Sequence, residues 1–280
     1  MKFILNIVYG MVVGIANIIP GVSGGTMAVI LNIYDELIDS FTGLKKHFKK
    51  SVMYLLPIGI GAVIGIFGFS KLLEFLLNNY PMPTNFFFIG LIIGGVPLVF
   101  RKATETKFKP VSLVPFVIFF GVMIALAFIN TSSSETSGII TTLDFGTVVY
   151  MILGSALAAM CMIIPGVSGS MVMMIIGLYN TVLTSISNLN IVMLIPVAVG
   201  VILGIVGGAK LIDICIKKFP QATFFAIIGL MLGSLLSVYN NSGFEFNIQG
   251  IIAIFTLLLG FAVSFVFGSE KIKAKFAKKN

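Results

Sequence analysis

Two short stretches carry residues whose types and spacing suit chemistry inside an otherwise apolar chain. They are Pro20-Gly21-Val22-Ser23-Gly24-Gly25-Thr26 and Pro165-Gly166-Val167-Ser168-Gly169-Ser170. Each opens with proline and glycine, which break a helix by removing a donor and freeing the backbone. Each then supplies a serine followed by small residues, the makeup of a helix start whose first N–H groups lack intrahelical partners. Such amides and the positive end of the helix dipole favour an anion, and Ser23, Thr26, Ser168 and Ser170 add hydroxyls. The chemistry on offer is binding of a phosphate or a carboxylate. The alternative is that each stretch only turns the chain, with its serine as an N-cap.

The surrounding composition says what must position these residues. Of 280 residues, 58% are hydrophobic and 10% charged, against roughly 25% charged in soluble domains. Apolar runs of about 20 residues recur throughout, predicting an all-α, polytopic membrane protein. Irregular backbone at membrane depth persists only where protein buries it or where it lines a polar cavity. The net charge of +8 fits basic loops that set orientation, not a nucleic-acid partner. Cys161 and Cys215 are isolated thiols, and the single His47 lies among Lys45, Lys46, Lys49 and Lys50 as part of a solvated face. Neither pattern calls for a disulfide, a metal or a cofactor. Met1-Lys2 and the run after it lack a small-x-small cleavage site and read as part of the mature fold.

The two motifs belong to two copies of one unit of roughly 140 residues, a form many transporters take. Beyond the motifs, Pro57, Gly61, Gly65, Gly68, Lys71 and Leu72 match Pro196, Gly200, Gly204, Gly207, Lys210 and Leu211. Glu74 matches Asp213, and Pro81, Thr84, Phe86, Gly90 and Gly94 match Pro220, Thr223, Phe225, Gly229 and Gly233. Repeat one covers 1–130, with a broken segment at 3–38 and spans at 52–77, 84–100 and 111–130. An external linker covers 131–145. Repeat two covers 146–268, with a broken segment at 146–180 and spans at 191–215, 222–239 and 248–268. A basic tail, 269–280, follows. Gly10 and Gly14, against Ser155 and Ala159, put small residues at a spacing that lets helices approach closely.

All of the 18 basic residues except Lys71 and Lys210 fall at Lys2, in loops 45–50, 101–109 and 217–218, or in the tail. The positive-inside rule places these in the cytoplasm, with both termini, and places the lysine-free loops near 78–85, 131–144, 181–190 and 240–247 outside. Three spans then join each inside loop to its outside counterpart, so each broken segment must leave on the side it entered. Arms of roughly 15–17 residues, short of the ~20 of a full span, favour re-entrant hairpins. An odd number of spans per unit makes the repeats inverted, and the two tips approach from opposite faces.

Lys71 and Lys210 are the basic residues inside apolar runs, each followed at i+3 by an acid, Glu74 or Asp213. They either attract a lipid phosphate at each face or snorkel as paired anchors. Glu74 and Asp213 are counter-charges or groups for proton or sodium coupling. Tyr34 and Tyr179 close the second arms and read as interfacial anchors.

With Asn17-Ile18-Ile19 before the first motif and Ile163-Ile164 before the second, the chain resembles the PopT-type polyprenyl-phosphate transporters along essentially its whole length. The resemblance implies a non-enzymatic protein of the bacterial cytoplasmic membrane. Such a protein returns undecaprenyl phosphate from the outer to the inner leaflet for cell-wall precursor synthesis, with membrane lipids as its surroundings. The motif positions of that family carry over to Pro20, Gly21, Ser23, Gly24 and Gly25, and to Pro165, Gly166, Ser168 and Gly169. Ser170 stands in place of the second glycine, and Met162 in place of Asn17. The candidate substrate-binding set is Asn17, Val22, Thr26, Val167, Ser170, Lys71 and Lys210 together with those motif residues.

Two other functions bear on the same motif. A membrane phosphatase acting on undecaprenyl pyrophosphate also uses inverted repeats with a Pro-Gly-x-Ser hairpin, but follows the serine with arginine and supplies nearby glutamates. Here Gly24 and Gly169 hold that position and no glutamate cluster accompanies them. A transporter of small anions fits the tips as well as a lipid transporter does.

Overall fold

The computed structural model describes residues 2–18, 22–128, 139–188 and 190–267. Pro20 and Gly21 of the first tip, most of the expected linker and the basic tail lie outside the described residues. Among the described residues every regular element is helical: α1 (Lys2–Ile18), α2 (Gly24–Ile30), α3 (Tyr34–Thr42), α4 (Phe48–Asn79), α5 (Pro81–Ala103), α6 (Val114–Ala127), α7 (Phe145–Ile163), α8 (Gly169–Ile175), α9 (Tyr179–Ser187), α10 (Ile191–Lys218), α11 (Pro220–Asn240) and α12 (Ile248–Phe267). Seven of these stretches are long and apolar enough to cross a membrane, α6 with the short 3-10 turn before it. Large apolar side chains face outward from them, Phe67, Phe255 and Ile248 among others. The chain is a multi-pass, all-α membrane protein.

Close backbone contact at small residues fixes how the long helices run. A Cβ on Gly10 would fall 2.1 Å from the Ile58 carbonyl oxygen, and one on Gly14 would fall 2.3 Å from that of Ala62. Residue numbers rise together along this seam, so α1 and α4 are parallel. In α10, Gly200 meets Ile152 and Gly204 meets Ala156, so α7 and α10 are parallel too. Ser155 and Ala159, expected from their spacing to allow close approach, are fully buried. The chain between α1 and α4, and again between α7 and α10, must therefore return to the end it started from.

The return is built the same way twice. Each second arm, expected as one helix, is two short ones. The Ile33 amide donates to the Ala28 carbonyl at 2.9 Å, and the Leu178 amide donates to that of Met173 at 2.9 Å. Both are Schellman caps, which need a left-handed residue just past the helix. Asn32 (φ 54°) and Gly177 (φ 71°) supply it. Between α8 and α9 the axis bends by 113°. At 19 residues α7 is itself long enough to span. Arm length thus does not separate an arm from a span here. Asp144 caps α7, and the Thr147 amide and hydroxyl that donate to its carboxylate hold it below the usual carboxylate range.

The last helices are exchanged between the halves. α12 seats on α5 through Gly90 and Gly260, and α6 seats on α11 through Gly229 and Gly233. α5 and α11 meet each other at the centre, with Phe100 against Phe225 and Phe86 against Tyr239.

Candidate functional site

The two tips meet in the interior. The Gly166 amide donates to the Thr26 hydroxyl at 2.7 Å, with both groups buried. Ser23 reaches the same neighbourhood, its hydroxyl donating to the Ile164 carbonyl at 3.4 Å. A Cβ on Gly25 would lie 2.7 Å from the Ile163 carbonyl oxygen, so the start of α2 rests directly on the end of α7. Gly166 has φ +90°, and a Cβ there would lie 2.5 Å from the Leu230 carbonyl carbon in α11. Its glycine identity answers both conformation and space.

The amides expected to be open are not equally so. At the first tip, the Gly24 amide donates to Asn17 Oδ1 at 3.1 Å and the Gly25 amide donates to Ser23 Oγ at 3.2 Å. Both are satisfied within the protein. At the second tip, the Ser168 hydroxyl makes no cap bond and pairs with the Ser170 hydroxyl at 2.8 Å. Met162 occupies the Asn17 position and packs where a Cβ on Gly169 would sit. Val22, Pro165 and Gly169 are buried, and Val167 and Ser170 half-buried. The two tips differ chemically, as their sequences do.

Beside the tips lies a cavity of about 1670 Å³, bordered by α1, α2, α3, α4, α5, α10 and α12. Ala16 and Met27 bring the tip region to its wall; Ser23, Gly24, Gly25 and Thr26 do not line it. α4 borders it at Lys50–Tyr54 and again at Leu73–Leu76, so its ends lie about 39 Å apart at roughly 1.5 Å of rise per residue. Its walls are mostly apolar, with Phe87, Leu91, Ile252 and Val263, while Tyr9 and Tyr54 add hydroxyls. One end is charged by Glu36, Asp39, Lys46, His47, Lys50, Asp213 and Lys217.

The residues singled out from sequence are thus only partly brought together. Lys71, Glu74 and Lys210 are exposed and do not border the cavity. Asp213 does, but its carboxylate pairs with Lys217 at 2.7 Å instead of with Lys210. The i+4 partner one turn on wins over the i+3 one. Tyr34 is 2% exposed, so it is a core residue and not an interfacial anchor. It opens α3 and does not close an arm. His47, with two of its neighbouring lysines, borders the cavity because α3 folds back beside α4. The sequence signal for this end was the acidic run Asp35, Glu36 and Asp39 just ahead of the lysines. Asp35 forms an ion pair with Lys102 at the end of α5, and that ammonium also lies 5.5 Å from the centre of the Phe224 ring.

Comparison with known proteins places these features in context. Residues 13–249 match the model of a family described as undecaprenyl phosphate translocase-like. A polyprenyl-phosphate transporter of Staphylococcus aureus is 31% identical over 273 residues, covering 94% of this chain and 95% of its own. A polyprenyl-phosphate transporter of Vibrio cholerae is 26% identical over 255 residues, covering 85% and 78%. No solved structure matches.

Proposed function

This chain belongs to the undecaprenyl phosphate translocase-like family, and from that premise we propose that it moves a polyprenyl phosphate between the leaflets of the bacterial cytoplasmic membrane. The lipid is undecaprenyl phosphate, carried from the outer to the inner leaflet, and it returns to cell-wall precursor synthesis there. The protein acts as a transporter and not as a hydrolase. Both termini lie in the cytoplasm and the two units are inverted. Supporting this are the lysine distribution, the parallel runs of α1 with α4 and α7 with α10, and the opposite sense of α5 and α11.

One observation carries the reading: the cavity beside the tips is long, apolar-walled and charged at one end. Its extent of about 39 Å exceeds the ~30 Å hydrocarbon core. A phosphate monoester bears about −1.5 to −2 charges and cannot cross hydrocarbon unaided. An amphiphile with a compact anionic head and a long apolar tail fits such a cavity in both its parts. A small anion would have no use for the apolar length. In this proposal the joined tips hold the wall past which the lipid moves, and any coupling to a proton or sodium gradient acts on that movement.

The test is reconstitution in vesicles with labelled undecaprenyl phosphate in one leaflet. The protein is expected to speed exchange, and Ile252→Trp, which fills the cavity wall, to slow it several-fold while a soluble anion fails to compete. Unchanged exchange with and without protein would refute the proposal.

A further inference from the structure

The charged end of the cavity gathers Lys46, His47 and Lys50 at the start of α4. We infer that Lys46, His47 and Lys50, with the Tyr54 hydroxyl, form a binding site for a phosphate monoester at the cavity mouth. The inference rests on the lipid-phosphate reading above and locates the charged half of that ligand.

Four lysines and a histidine surround the first turn of α4, but they are not equivalent. Lys46, His47 and Lys50 border the cavity, whereas Lys45 and Lys49 do not. α4 starts at Phe48 and its N-cap, His47, makes no side-chain cap bond. The positive end of a 32-residue helix therefore lies among cations, an arrangement the dipole opposes. Among the described residues none of these cations forms an ion pair; the ion pairs found there join Lys102 to Asp35 and Lys217 to Asp213. The Tyr54 hydroxyl, one turn further along α4, is buried with the Glu36 carboxylate beside it and no partner in hydrogen-bond geometry. Buried hydroxyls are normally paired, and this one belongs to a residue of the cavity wall.

A dianionic phosphate monoester answers all of these at once. It would give the lysines charge-assisted hydrogen bonds, suit the helix start and accept from the tyrosine. Glu36 and Asp39 face it from α3, and Asp213 from α10 is already matched by Lys217. Those acids keep the mouth near neutrality once the anion has left. Lysines at such a place also set membrane orientation, but that role depends on how many there are and not on which ones border the cavity.

That difference gives the experiment. K46Q/K50Q and K45Q/K49Q remove equal charge from one loop, so the purified variants in nanodiscs are compared with wild type by titration calorimetry. The probes are farnesyl phosphate, inorganic phosphate and farnesol. Farnesyl phosphate is expected to bind K46Q/K50Q at least tenfold more weakly, with K45Q/K49Q within about twofold of wild type, since each charge-assisted contact is worth roughly tenfold. K46R/K50R is expected to recover most of the binding, which separates a charge site from a folding defect. Equal loss in both glutamine pairs, or none in either, overturns the site while leaving lipid transport standing. Inorganic phosphate binding as tightly as farnesyl phosphate, with the same dependence on Lys46 and Lys50, upholds the site and overturns the lipid reading. Farnesol binding as tightly as farnesyl phosphate overturns the site.

Discussion

Replacing Thr26 by valine tests whether the two tips act as one joint. The Thr26 hydroxyl accepts the Gly166 amide at 2.7 Å, and Thr26 is 1% exposed with Gly166 buried beside it. Valine keeps the shape but offers no acceptor, and burial keeps water from replacing it. A buried amide left unpaired costs about 1–3 kcal/mol. At about 2 kcal/mol the equilibrium between joined and separated tips shifts roughly thirtyfold. Thr26→Ser retains the oxygen and loses only a methyl, so it should lie much closer to wild type. The assay is hydrogen exchange in nanodiscs, read at residues 164–168. Exchange there should rise by about the same factor in Thr26→Val and little in Thr26→Ser. Equal protection in all three proteins would refute the reasoning, because the contact would then hold nothing.

Two further substitutions probe the frame around that joint. Gly59 and Gly61 sit two residues apart on α4, but a Cβ at Gly61 would fall 2.0 Å from the Ile7 carbonyl oxygen while one at Gly59 meets nothing within 4 Å. Gly61→Ala should lower the yield of monodisperse protein and its melting temperature by several degrees, and Gly59→Ala should leave both unchanged or slightly higher. Asp35→Asn and Lys102→Gln each release α3 from α5. As the pair is partly solvent-exposed, their coupling in a double-mutant cycle of thermal stability should be about 0.2–1 kcal/mol, falling with added salt.

Much of the frame was legible because membrane helices declare themselves by length and charge. Pro81 and Pro220 restart a helix after a single residue, Tyr80 or Phe219, so the sharp reversals between α4 and α5 and between α10 and α11 follow from composition. The break within each second arm was harder to see, although Asn32 and Gly177 are the residue types that occupy left-handed caps. They stand at corresponding places in the two motifs' sequels, which was the available signal. What sequence could not give was the path of α3. Only when it folds beside α4 and α10 do Glu36, Lys46 and His47 gather at one cavity end. Taken singly, they look like solvated loop residues. Tyr34 carries a related ambiguity: a tyrosine near a helix end suits a membrane interface equally well until the helix before it is seen to stop.

The exchange of last helices has a consequence for how the protein is made. The seam on α5 that carries Gly90 and Gly94 is filled by α12, which is synthesised more than a hundred residues later. Until then α5 presents a shallow groove of glycine to the lipid, and α6 waits likewise for α11. Insertion of individual helices can proceed in order, but assembly cannot close until the final one arrives. A chain released before Ile248 would therefore leave its first half incomplete as well as its second, and two halves produced separately would be expected to need each other in the same membrane to mature.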